Sequence, residues 1–144
     1  MVHVSQLGDN GSWSGAQQAG SMPLGSEAVF DATDTLHIVG CGTTGVIEVR
    51  WSEAGGMSAP VVVSNETCSG GHQGTTVDDA GRIDTVWMTD GVMRFSRRDD
   101  GGVWGAPVPL MGVSIAATGT ARGPQGRPVV LVSKAVSNGA LYQV

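Results

Sequence analysis

GVIEVRWSEAGGMSAPVVVS (Gly45 to Ser64) lines up with GVMRFSRRDDGGVWGAPVPL (Gly91 to Leu110), and this pair decides the fold. NGALYQV (Asn138 to Val144) begins the same unit again, and VHVSQLGDNGSWSGAQ (Val2 to Gln17) reads as its second half. The unit recurs about every 47 residues, a period that belongs to propeller blades built from short strands. Within each copy the apolar residues alternate. In TLHIVG, Leu36 and Ile38 take one side while His37 and Val39 take the other, and in VIEVRW, Ile47, Val49 and Trp51 oppose Glu48 and Arg50. No segment sustains a helical period, so helix is expected to be nearly absent.

Working outward, each unit divides into four strands. SEAVFDA, TLHIVG, VIEVRW and SAPVVVS form one blade over residues 25–65. HQGTTVDD, GRIDTVWM, GVMRFSR and VWGAPVPL form the next over 66–112. SIAATGT, GRPVVLVS and GALYQV open a third, over 113–144, which residues 1–24 would complete. The reading is therefore an all-β propeller module spanning 1–144, with about three four-stranded blades per chain. Third strands outnumber the other types by one. About three blades cannot close a ring, and exposed blade edges invite association. The expectation is a homo-oligomer, with two chains closing about six blades favoured over three chains closing about nine, and strand exchange absorbing the spare strand. A cut fragment with frayed ends is the alternative.

Composition excludes several classes. The net charge is −5, with 8 Lys and Arg against 13 Asp and Glu, and the basic residues are scattered. That leaves no patch to displace phosphate counterions, so no nucleic-acid role is expected. No apolar run reaches membrane-spanning length. Cys41 and Cys68 are too few for a disulfide framework and lack zinc spacing, so no metal or other cofactor is expected. Both fall in loops on one face of the propeller, where they either pair or remain two free thiols. Pairing would favour a secreted protein, and the compartment is otherwise unspecified.

RRDDGGVW (Arg97 to Trp104) resembles the Asp box, S-x-D-x-G-x-x-W, of sialidase-like BNR-repeat propellers. Asp99, Gly101 and Trp104 fall on the Asp, Gly and Trp positions, while Arg97 departs from the Ser position. Asp9, Gly11 and Trp13 mark a shortened copy, and Glu53, Gly55 and Ser58 a third without the Trp. Blades bearing these hairpins cover nearly the whole chain. The motif is structural: Asp accepts from the turn backbone, Gly supplies positive φ and Trp packs the hairpin onto its blade. A sialidase resemblance would imply an arginine cluster, a Tyr nucleophile with a Glu partner and an Asp acid/base. The chain has a single tyrosine, Tyr142, and no Arg-Ile-Pro signature, so no catalytic residues are assigned and an enzyme is not expected.

Binding is expected on the face carrying Cys41–Thr44, Asn65–Gly71 and Met88–Asp90. Trp87 with Thr89 and Asp90 is the first choice for stacking a sugar, with Trp51 and His72 as further candidates. Packing between blades is the competing role for Trp87. The functional expectation is non-enzymatic, lectin-like glycan binding by a multivalent ring. The alternatives are a structural or engineered propeller fragment without its own ligand, or a sialidase-like hydrolase fragment.

Overall fold

The computed structural model describes residues 3–5, 9–18, 25–69, 71–112, 115–123, 127–135 and 141–143. These residues form only antiparallel sheets and contain no helix, hence none long and apolar enough to cross a membrane. The strands, in chain order, are β1 (His3–Val4), β2 (Gln17–Gln18), β3 (Glu27–Phe30), β4 (Leu36–Gly42), β5 (Gly45–Ser52), β6 (Gly56–Met57), β7 (Val61–Ser64), β8 (His72–Val77), β9 (Ile83–Thr89), β10 (Val92–Arg98), β11 (Val108–Gly112), β12 (Ile115–Arg122), β13 (Pro128–Ala135) and β14 (Leu141–Gln143).

Each main sheet is a meander that keeps sequence order. The first runs β3-β4-β5, with its outer position split between β6 and β7, both paired to β5. The second runs β8-β9-β10-β11, the third β12-β13-β14, and β1 pairs β2 as a separate hairpin. β5, β10 and β14 each hold the third position in their sheets, while β1 pairs only with β2 among the described residues. The first strands lie side by side, with β8 packed against both β3 and β12. The approach is tight. A side chain at Gly74 on β8 would run into the Thr120 side chain on β12. On the other flank, the Thr75 N–H donates to the Glu27 carboxylate across 2.7 Å.

One turn recurs between first and second strands. Asp31 N–H donates to Thr35 O, Asp78 N–H to Arg82 O and Gly123 N–H to Arg127 O, at 2.9–3.0 Å. In the first two turns the aspartate also caps its own loop. Asp31 Oδ1 accepts from the N–H groups of Thr33 and Thr35, and Asp78 Oδ1 from those of Ala80 and Arg82. The left-handed residue these turns need is Asp34 (φ 60°) in one and Gly81 (φ 76°) in the other.

The alternation read from the sequence sorts the core. Leu36, Ile38, Val49 and Trp51 cluster on one face of the first sheet, with Ile47 and Met57 against them. Val39, Val46 and Val63 on the opposite face meet Trp87 of the second sheet, joined by Cys68 and Trp104. Cys41 and Cys68 form a disulfide, Cα to Cα 5.6 Å, tying the end of β4 to the segment that leads into β8.

Candidate functional site

The ligand-binding expectation for Trp87 needs correcting. Its ring is fully buried in the core between the first and second sheets, and its Nε1 has no hydrogen-bond partner. The middle strands are covered on both faces, so an aromatic there fills space between sheets. Trp51 is likewise buried, on the other face of the first sheet. Thr89 is buried and its hydroxyl donates to Thr67 O at 2.9 Å. Asp90 is exposed in a tight turn (φ 48°), its N–H held by the Ser69 hydroxyl. His72 opens β8 opposite Trp87, and its side chain lies outside the described residues. The predicted stacking surface is thus not assembled. Near that end of the junction the structure places an ion pair, Arg94 Nε to Glu66 Oε2 at 3.1 Å.

The Asp-box hairpin folds as its chemistry dictates and also reaches the neighbouring sheet. Asp99 Oδ1 accepts the Val103 N–H at 2.7 Å, and Gly102 (φ 86°) closes the turn beneath the Arg98 guanidinium. Trp104 bridges back to Arg98 on its own sheet and packs on the cluster that Trp87 shares with Val39, Val46 and Val63. Its indole N–H donates across the junction to Glu48 Oε2 on β5 at 2.9 Å.

The other two copies differ from their sequence alignment. Trp51 pairs with Met57 as Arg98 pairs with Trp104, so Met57 holds the Trp position and Ser52 the Asp position. The Ser52 hydroxyl accordingly accepts the Gly55 N–H at 3.1 Å. The expected register through Glu53 and Ser58 is therefore off by one, because loss of the Trp removed the landmark that sets it. In the N-terminal copy, the Asn10 side chain rather than Asp9 accepts the Ser12 N–H, with Gly11 at φ 75°. Trp13 is 67% exposed, whereas Trp104 is half-buried.

Around Glu48 the junction holds a buried polar chain. Glu48 and His37 are each 1% exposed. His37 Nδ1 lies 2.6 Å from Glu48 Oε1, and its Nε2 lies 3.0 Å from Asp31 Oδ2. An ionised carboxylate only accepts, so a ring making both bonds donates from both nitrogens. Arg98 Nε, buried and without a hydrogen-bond partner, sits 3.6 Å from Glu48 Oε2. Burial by itself would raise the Glu48 carboxyl. The hydrogen bonds from His37 and Trp104 and the nearby charges of Arg98 and His37 outweigh it and hold Glu48 below its ordinary value. Asp31 follows the same logic: burial raises it, but bonds from His37, Thr33 and the turn backbone bring it well below the usual carboxylate range.

The site therefore presents a half-buried indole whose N–H is anchored on a buried carboxylate, with the imidazole and the Arg98 guanidinium buried behind it. The site around Glu48 escaped sequence reasoning because, although His37 meets Glu48 within one hairpin, Trp104 and Arg98 reach it from the neighbouring sheet, Trp104 from 56 residues away. The available signal was a Glu and a His at alternating positions otherwise filled by apolar residues. Among the described residues no cluster of His, Cys, Asp or Glu could hold a metal ion.

No protein-family model matches the chain, and no curated protein matches it. Among solved structures, the fold is similar to that of a fucose lectin from Kordia zhangzhouensis in complex with methyl-fucoside. The TM-score is 0.56 at 12% identity, covering 83% of this chain and 90% of that one.

Proposed function

We propose that this chain is a non-enzymatic, carbohydrate-binding propeller module whose glycan site is the junction of the first and second sheets. The observation that carries the reading is the half-buried Trp104 indole anchored on the buried Glu48 carboxylate beside Arg98. A ring face held in fixed orientation by a buried anchor suits the apolar surface of a sugar. Similarity to a fucose lectin supports the same class.

In this reading the blades are 25–65, 66–112 and 113–144 with 1–24, and self-association completes the ring. The exposed Trp13 then docks on a second copy as Trp104 docks on Glu48, and the open edge of β14 gains its neighbour there. Light scattering tests that part, with a clean monomer refuting it.

The binding test is calorimetric titration with methyl-fucoside together with a glycan array. Trp104→Ala, checked for folding by circular dichroism, is expected to weaken binding roughly tenfold or more. Folded protein that binds nothing on the array, or a Trp104→Ala variant that binds as wild type does, rejects the reading and leaves a structural module.

A further inference from the structure

The junction of the second and third sheets carries different chemistry from the first. Five charged side chains alternate there: Arg82, Asp78, Arg122, Asp84 and Arg97. Arg82 Nε donates to Asp78 Oδ2 at 2.6 Å, and Arg122 Nη1 lies 3.6 Å from the same oxygen. Arg122 Nη2 is 3.9 Å from Asp84 Oδ2, while Arg97 grips Asp84 with two bonds of 2.7 and 2.9 Å. Arg122 also donates to the backbone carbonyls of Val77 and Arg82, which fixes it across the junction.

The carboxylates lie inside and the outer guanidinium groups face water. Asp78 and Asp84 side chains are 6% and 2% exposed, against 47% for Arg82 and 38% for Arg97. Three cations surround two anions, leaving one positive charge in excess on a chain of net charge −5. Asp78 is spent on its turn, accepting the Ala80 and Arg82 N–H groups with its other oxygen. Among the described residues no hydrogen bond occupies either Nη of Arg82 or Nη1 of Arg97. Two guanidinium groups are thus held in fixed orientation by buried acids with outward N–H groups unused. Such pre-set planar donors match a carboxylate or a sulfate ester better than a mobile ammonium would.

We propose that this junction is a second ligand site, for the anionic group, carboxylate or sulfate, of an acidic saccharide. The anion chemistry stands on the arginines alone, while the saccharide half rests on the carbohydrate reading above. A phosphate backbone is the less suitable occupant, because the chain's net negative charge repels an extended polyanion while a single anionic group meets only the local excess.

The test is calorimetric titration of the whole chain with trigalacturonic acid, its neutral methyl ester, a sulfated disaccharide and an oligothymidylate. Saturable binding of either acidic saccharide, weakened by salt and absent for the methyl ester, is expected, and comparing the two separates carboxylate from sulfate. Arg82→Gln should weaken it roughly tenfold or more. Arg97→Lys, which keeps the charge beside Asp84 but loses the fork, should weaken it without unfolding the protein. Trp104→Ala should leave it unchanged, so failure of the neutral-glycan site and failure of this one are told apart. The proposal is overturned if neither acidic saccharide binds, if the methyl ester binds equally, if Arg82→Gln has no effect, or if the oligothymidylate binds more tightly.

Discussion

Replacing Glu48 by leucine removes the carboxylate that joins His37 to Trp104 at the first junction without leaving a large void. Glu48 is 1% exposed and accepts through both oxygens, from His37 at 2.6 Å and from Trp104 at 2.9 Å. After Glu48→Leu, the His37 Nδ1–H, the Trp104 Nε1–H and the Arg98 charge all face an apolar side chain. A buried donor left unpaired costs about 1–3 kcal/mol, and breaking a buried charged pair about 3–5 kcal/mol. The effects overlap, so a loss of about 4 kcal/mol is expected. For a chain of this size that corresponds to a fall in Tm of about 10 °C or more.

Glu48→Gln makes a sharper comparison. Its amide carbonyl still accepts from Trp104, and its NH2 can donate to His37 Nδ1 if the ring gives up that proton and keeps the one facing Asp31. The polar chain survives with one charge pair fewer, at a cost of about 1–2 kcal/mol. Urea unfolding of both variants, with Trp104→Phe and the double variant Glu48→Leu/Trp104→Phe, closes a cycle. Once Glu48 is gone, removing the indole N–H should cost nothing further, giving a coupling of about 1 kcal/mol or more.

Acid adds a check whose sign is fixed. Glu48 and Asp31 are both held below their ordinary values, so their stabilisation is complete above the unfolded values of about 4.3 and 3.9 and drains away as pH falls through and below them. The gap between wild type and Glu48→Leu should therefore narrow below about pH 4. Glu48→Leu within about 1 kcal/mol of wild type, additive single effects, or a gap independent of pH would each refute this account of the junction.

Two further perturbations probe the rest of the frame. Gly74→Ala pushes a methyl group into the Thr120 side chain on the neighbouring sheet and should cost about 1–3 kcal/mol in urea unfolding, most of it recovered by adding Thr120→Gly; a neutral Gly74→Ala would mean that β8 and β12 are not held as close as described. Reducing the Cys41–Cys68 bond, which closes a separation of 27 residues, should lower stability by about 3 kcal/mol, with amide exchange quickening first around Trp87 and Val39; an unchanged Tm in reductant would show that the bond constrains nothing.

The frame of the molecule was legible because it rests on local rules. Alternation placed Leu36 and Ile38 opposite His37 and Val39, and the core clusters divide along that line. The period set the strand order, since each strand pairs mainly with the next in sequence. The Asp99 turn followed from the bonding of one carboxylate to its own loop. The aromatic roles were not legible, because they depend on which residue a neighbouring sheet presents. Trp87 and Trp104 are both tryptophans of one unit, yet one is sealed inside the junction and the other lies half-buried over a carboxylate. The local sequence does separate a middle-strand tryptophan from a hairpin one, but not which residue of the neighbouring sheet each meets.

The two junctions show how far side chains diverge on one backbone. His37 lies six residues beyond the turn aspartate Asp31, and Asp84 six beyond Asp78; their cross-strand partners are Arg50 and Arg97. In the second sheet Asp84 and Arg97 satisfy one another with two bonds, and the surplus cation is Arg122, from the sheet beyond. In the first sheet the imidazole cannot serve Arg50, whose Nε is buried without a hydrogen-bond partner. His37 bonds instead to Glu48 and back to the turn aspartate, so Asp31, which on the pattern of Asp78 would take an arginine, takes a histidine. Three differences at matching positions, His37 for Asp84, Glu48 for Phe95 and Thr35 for Arg82, thus replace closed Asp–Arg pairs with a chain that crosses the junction to Trp104. Because the turns and strand pairings are the same in both sheets, the two junctions carry different side-chain chemistry on one frame.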